Sequence, residues 1–110
     1  MKTKVPAKFL RSKYRKEMWQ NAQAMLVELE KVLSIEEAYV MGSFTTKKSR
    51  PADVDFVILL KVKEENPEAT WSVDLVIAPN NAYGRLVQKD AEQWTKKKYR
   101  LKNYAMTRLK

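Results

Sequence analysis

The sequence predicts an α+β (α/β) fold in which a small mixed sheet packs against helices, and three observations predict it. Apolar residues recur at helical spacing between Met18 and Leu33. Two apolar, strand-like runs, Asp53 to Val62 and Trp71 to Ala78, flank a short polar turn. A further segment beginning near Tyr83 again places apolar residues three and four apart. With 110 residues, the chain is expected to form one domain with a single modest core.

Each element follows from local chemistry. Residues 1–12 show no periodicity and Pro6 discourages an early helix, so this stretch is expected to be a basic arm. Ser12 suits the N-cap of a helix from Lys13 to Leu33, whose stripe is Met18, Ala22, Met25, Leu26, Leu29 and Leu33. Trp19 sits beside the stripe and is expected in the core. Glu37 to Met41 forms a short strand leading into Gly42, and Ser43 to Ala52 is a polar, basic loop. Pro51 biases Arg50 toward an extended backbone. Asp53 to Val62 is almost wholly apolar after Asp55, the mark of a central strand. The turn at Lys63 to Thr70, with Asn66-Pro67, is too short for a parallel crossover. Residues 53–62 and 71–78 should therefore pair as an antiparallel hairpin. Pro79 and Asn80-Asn81 end that strand. A helix follows with Tyr83, Leu86, Val87, Ala91 and Trp94 on one side, its first turn weakened by Gly84. Thr95 to Lys110 continues as a helix-compatible basic tail with a second stripe at Leu101, Tyr104, Ala105 and Leu109.

Composition removes whole classes of chemistry. There is no cysteine, hence no disulfide framework and no thiolate metal site. There is no histidine, so His-ligated zinc, a His general base and a Ser-His-Asp triad are all excluded. Catalysis would have to rest on carboxylates, amines, hydroxyls and a bound metal. No apolar run approaches the length of a membrane span, and the first residues lack a signal peptide's apolar segment. The expectation is a cytoplasmic protein with no membrane partner.

The net charge of +9 is unevenly distributed. Residues 1–16 hold seven Lys/Arg and no acid, and residues 89–110 hold eight against Asp90 and Glu92. Between them, residues 17–88 carry seven bases and eleven acids. Basic ends of this kind attract RNA or DNA through its phosphates, and equally serve as solubilising surface. Tyr99 and Tyr104 among Lys96, Lys97, Lys98, Arg100 and Lys102 suit phosphate contact with base stacking.

Asp53 and Asp55 are two residues apart at the head of a strand, a spacing that puts both carboxylates on one face. Like charges so placed repel unless a cation lies between them. Mg²⁺, which binds through one or two carboxylates plus substrate phosphates, is the usual one. Gly42-Ser43 upstream lets backbone N–H groups approach those phosphates. A third acid, Asp74, falls inside the apolar run from Trp71 to Ile77.

Gly42-Ser43, the residues up to Ala52, and Asp53-Val54-Asp55-Phe56 resemble the motif of nucleotidyltransferases in the DNA polymerase beta superfamily, with Val73-Asp74-Leu75 similar to its third acidic motif. The likeness spans about residues 13 to 94, and the chain is similar to a minimal nucleotidyltransferase lacking the large substrate-binding domains. The resemblance implies a polymerase-beta-like fold and transfer of a nucleoside monophosphate, such as AMP, from a nucleoside triphosphate to a protein or nucleic-acid hydroxyl, with pyrophosphate released. Asp53, Asp55 and Asp74 would be catalytic and would hold Mg²⁺ or Mn²⁺. Gly42 and Ser43 would receive phosphates, and Lys47, Lys48 and Arg50 in the intervening loop would either meet the triphosphate or remain solvated. Such proteins commonly work beside an all-helical HEPN-like partner, in some cases as its antitoxin, either modifying it or blocking it by binding. An alternative is an interaction protein that uses the fold as a scaffold, contacting its partner through Trp19, Trp94, Leu101, Tyr104 and Leu109.

Overall fold

A computed structural model describes residues 4–62 and 70–110. The chain divides into two compact units, Met1–Ala69 and Thr70–Lys110. The first contains a 3-10 helix at Ala7–Leu10, helix α1 at Lys13–Val32, strand β1 at Ile35–Met41, a second 3-10 turn at Gly42–Thr45 and strand β2 at Asp55–Leu60. The second contains helix α2 at Ala82–Tyr99.

Helix α1 begins where the sequence places it. The Ser12 side chain accepts a hydrogen bond from the Arg15 backbone N–H, closing one of the helix's open donors. Its buried face is formed by Arg15, Trp19 and Leu26, four and seven residues apart. That face is rotated from the expected stripe, and Met25 and Leu33 lie exposed. Trp19 is core, which removes it as a candidate partner contact. Its ring stacks on Phe44 at 5.9 Å and tilts against Phe56 at 6.1 Å, while Phe9 meets Phe44 edge-on at 6.0 Å. One aromatic cluster thus ties together both 3-10 segments, α1 and β2.

The sheet differs from expectation. Among the described residues it has two strands, antiparallel, with β1 rather than residues 71–78 beside β2. The register runs from Ile35 opposite Leu60 to Met41 opposite Asp55, with an irregularity between Ile35 and Glu37. Ala38, Val40, Phe56 and Ile58 alternate inward, and Tyr39, Met41, Asp55, Val57 and Leu59 face outward exposed. Residues 71–79 take no regular secondary structure, and Trp71, Val73, Leu75, Val76 and Ile77 are exposed. Strand propensity measures fit to a neighbouring strand, so an apolar run without a ladder partner does not become a strand by composition. The turn expected at Lys63–Thr70 lies, apart from Thr70, outside the described residues, as do residues 1–3 of the basic arm.

Helix α2 is capped by Asn81, whose side chain accepts from the Gly84 N–H at 3.0 Å. Gly84 has a steric reason to be there: a Cβ would overlap the carbonyl oxygen of Pro79. The helix stops at Tyr99. Arg100 turns left-handed at φ 55°, and the N–H groups of Arg100 and Leu101 both return to the Lys96 carbonyl. This Schellman-type ending closes on the Lys96 carbonyl and reverses the chain, so residues 101–110 do not continue the helix and the second stripe at Leu101–Leu109 is not formed.

The segment joining β1 to β2 is long for a hairpin and is held from within by one side chain. Arg15 is fully buried and spends all five guanidinium donors on main-chain carbonyls. It donates to Phe9 O at 3.1 Å, Phe44 O at 2.6 Å, Thr46 O at 2.9 Å, and Lys48 O from two nitrogens at 2.5 and 3.2 Å. Its guanidinium also lies 5.2 Å from the centroid of the Phe44 ring. Arg11 adds bonds to Thr46 O and Lys48 O from the exposed side. Further along, the Tyr14 hydroxyl donates to Pro51 O at 2.7 Å, and the Arg50 guanidinium stacks 4.2 Å from the Tyr14 ring.

Replacing Arg15 with Met leaves four carbonyls without these donors in a buried setting. Arg15→Met is expected to cost about 3 kcal/mol or more by urea unfolding. Arg15→Lys, which has three donors and no planar fork, should recover only part of that loss. Equal stability of Arg15→Met and the parent protein would show that the guanidinium does not hold the loop.

Candidate functional site

The Gly-Ser turn and the first strand acid meet directly. Met41 pairs with Asp55 at the end of the ladder, so the chain leaving β1 turns immediately above the Asp55 side chain. Gly42 adopts φ +78°, a conformation that favours glycine. A Cβ on Gly42 would overlap Oδ2 of Asp55 and stand 3.2 Å from its Cγ. Glycine is therefore required twice, once for the backbone angle and once for the carboxylate beside it. The turn is locked from behind: Thr45 Oγ1 donates to Gly42 O at 2.8 Å, and Thr46 donates to Ser43 O through both its N–H at 3.1 Å and its Oγ1 at 2.6 Å.

Asp53 precedes the strand by two residues, and like Asp55 it is exposed. The Asp55 carboxyl is pushed above the ordinary carboxylate range, first by partial burial against the turn and then by the negative charge of Asp53. The two acids thus share one electrostatic environment. Exposed oxygens, mutual repulsion and a close-approach glycine form a donor set that fits a hard, oxygen-seeking cation such as Mg²⁺.

Other expected site residues are distributed differently. Ser43 is half-buried within the turn, next to Gly42. Lys47 and Lys48 are exposed, and the main-chain carbonyl of Lys48 is the acceptor shared by Arg15 and Arg11. Arg50 is occupied by its stack on Tyr14, giving it a structural contact the sequence did not reveal. Asp74 belongs to the second unit, exposed and outside any strand. The expected hairpin that would have set it opposite Asp53 and Asp55 is not formed. Among the described residues no three acidic, histidine or cysteine side chains gather into a metal-binding group.

Arg15 is the residue that sequence reasoning missed. It looked like one of the seven cations of a basic N-terminal region, yet it lies four residues before Trp19 and eleven before Leu26, on the same helical face. Through Phe44 O it holds the residue that follows Gly42-Ser43. Burial, and secondarily the charge of Arg11, lower its pKa from the usual value, but a guanidinium starts high enough to stay protonated.

A family model described as "Family of unknown function (DUF6932)" matches residues 2–110, and the chain belongs to that family. No curated protein and no solved structure matches it. Among the described residues no helix is long and apolar enough to cross a membrane.

Two substitutions test the site's geometry. Gly42→Ala should destabilise the fold by at least about 1–2 kcal/mol, the cost of a side chain in a left-handed conformation, before the overlap with Asp55 is counted. Because the Asp55 pKa is raised on folding, its ionisation costs stability as pH rises through that pKa. Asp55→Asn should therefore raise the thermal midpoint at pH 7, with the gain vanishing as pH falls below the carboxylate range. A midpoint difference constant from pH 3 to pH 8 would contradict that assignment.

Proposed function

We propose that this protein is a minimal nucleotidyltransferase with a polymerase-beta-like arrangement, transferring a nucleoside monophosphate from a nucleoside triphosphate to a hydroxyl acceptor. The observation that carries this reading is the packing of Gly42 on the Asp55 carboxylate, with Asp53 acting on the same group. An exposed pair of carboxylates beside a glycine turn is costly in isolation and useful beside a phosphate-bound cation. Asp53 and Asp55 would hold Mg²⁺ or Mn²⁺, which when bound supplies charge neutralisation on the triphosphate and at the attacking and leaving oxygens.

The chain's own residues have distinct tasks. Gly42 admits phosphate oxygens close to the main chain, and Ser43 offers a hydroxyl donor. Lys47 and Lys48, exposed on the loop that Arg15 shapes, supply positive charge for the triphosphate tail. The acceptor hydroxyl would lose its proton to a carboxylate, the role that the resemblance implies for Asp74. That hydroxyl's oxygen bonds to the α-phosphorus as the bond from phosphorus to the β-bridging oxygen breaks, and pyrophosphate leaves. The acceptor would be a nucleic acid or a protein, including an all-helical HEPN-like partner in an antitoxin arrangement.

A second reading is a binding protein that blocks such a partner and keeps the fold as scaffold. The exposed apolar run at Trp71, Val73, Leu75, Val76 and Ile77 favours it, since exposed apolar stretches commonly mark protein contacts.

The decisive assay incubates the protein with Mg²⁺, each α-labelled nucleoside triphosphate and cell extract as the acceptor source. Label is expected on a protein or RNA with the parent sequence and is expected to fall by at least about 100-fold with Asp53→Ala/Asp55→Ala. Retained labelling in that variant would overturn the site assignment. Absence of labelling, with partner capture unchanged by the two substitutions, would select the binding reading.

A further inference from the structure

The C-terminal end of α2 concentrates charge of one sign. Lys96, Lys97 and Lys98 occupy its last turn, Arg100 follows in the left-handed cap, and no acidic side chain occurs after Glu92. The negative end of the helix dipole accommodates part of this charge. Three consecutive lysines and an arginine exceed what one helix end needs, and among the described residues none of them pairs with a carboxylate.

Two aromatic rings are interleaved with these cations. Trp94 and Tyr99 are 60% and 59% exposed. The Lys98 ammonium lies 4.6 Å from the centroid of Trp94 and 5.4 Å from that of Tyr99. One cation therefore serves both rings, leaving planar surface and positive charge side by side.

We propose that this end of α2 binds single-stranded nucleic acid, with Trp94 and Tyr99 stacking unpaired bases and Lys96, Lys97, Lys98 and Arg100 neutralising the adjoining phosphates. Exposed rings beside a cluster of cations suit the bases and phosphates of a single strand. A duplex keeps its base faces stacked internally and would use the cations alone. An anionic membrane fits less well. Asp90 lies between Tyr83, Val87 and Trp94 on the apolar side of the helix, so insertion of that side would bury a carboxylate. The inference stands apart from the nucleotidyl-transfer reading, because every residue it uses lies in the second unit.

Fluorescence anisotropy of the full chain with labelled oligothymidine and oligouridine of about 15 nucleotides, and with a duplex of equal length, tests it. Either single strand should bind more tightly than the duplex. With four phosphates neutralised, affinity should fall about 50-fold between about 50 and 200 mM salt. Trp94→Ala should weaken single-strand binding about tenfold, the loss of one stacked base, while Trp94→Phe keeps most of it. Neither change should alter the helical circular dichroism, because the ring is exposed. Lys96→Gln/Lys97→Gln/Lys98→Gln should flatten the salt dependence. Equal affinity for strand and duplex with Trp94→Ala silent would overturn the proposal. So would no binding at low salt, or binding to phosphatidylserine vesicles in place of the oligonucleotides.

Discussion

A guanidinium buried among main-chain carbonyls is the interaction on which the first unit depends. Arg15 brings a full charge out of water with no carboxylate among the described residues to neutralise it. Carbonyl dipoles from four residues replace the lost hydration, and the planar fork lets every donor find one. The exchange is local in helix α1 but distant in sequence, since three of the four acceptors lie beyond β1. Closing so long a connection costs chain entropy. Packing Phe44 between Trp19, Phe9 and the Arg15 guanidinium gathers hydrophobic and cationic contacts at the same point. Helix α1 and the turn are thereby fastened by one residue.

The acidic site sits at the other end of that fastening. Gly42 leaves β1 in a left-handed turn against Asp55, and the next residues are secured through the Phe44 carbonyl. Two acids held near each other, one of them partly desolvated, oppose folding rather than favour it. Arrangements that cost stability without a structural return are concentrated where chemistry or binding uses them. The packed aromatic cluster supplies the stability that lets such a pair persist.

Much of the local structure was legible. The N-cap at Ser12, the helical spacing through Leu26, the strand after Asp55 and the glycine turn before it each follow from short-range rules, and the structure contains all of them. What failed was partner choice. A short separation made residues 53–62 and 71–78 natural hairpin mates, yet β2 pairs backward with β1, and nothing in an apolar run states which neighbour it will meet. The helix end at Tyr99 was hidden because its stop is an arginine in the conformation usually given to glycine. Arg15 was hidden by charge: a cation is assigned to the surface unless its helical position beside Trp19 and Leu26 is weighed against that habit. The motif spacing marked Gly42 as a residue that phosphates would approach, but its contact with Asp55, a carboxylate occupying the space of a side chain, emerges only in three dimensions.

Because Arg15 addresses carbonyl oxygens, the side chains of Lys47, Lys48 and Ser49 have little bearing on the loop's path, unlike the Thr45 and Thr46 hydroxyls that close the turn. Thr46 and Lys48 present to the guanidinium an atom that every amino acid possesses. Lys47, Lys48 and Ser49 could be exchanged over evolutionary time for other residues while the turn stayed in place. Such a loop separates inheritance of shape from inheritance of chemistry. Relatives that keep the arginine and the glycine could diverge freely in the charge and size they present on this loop.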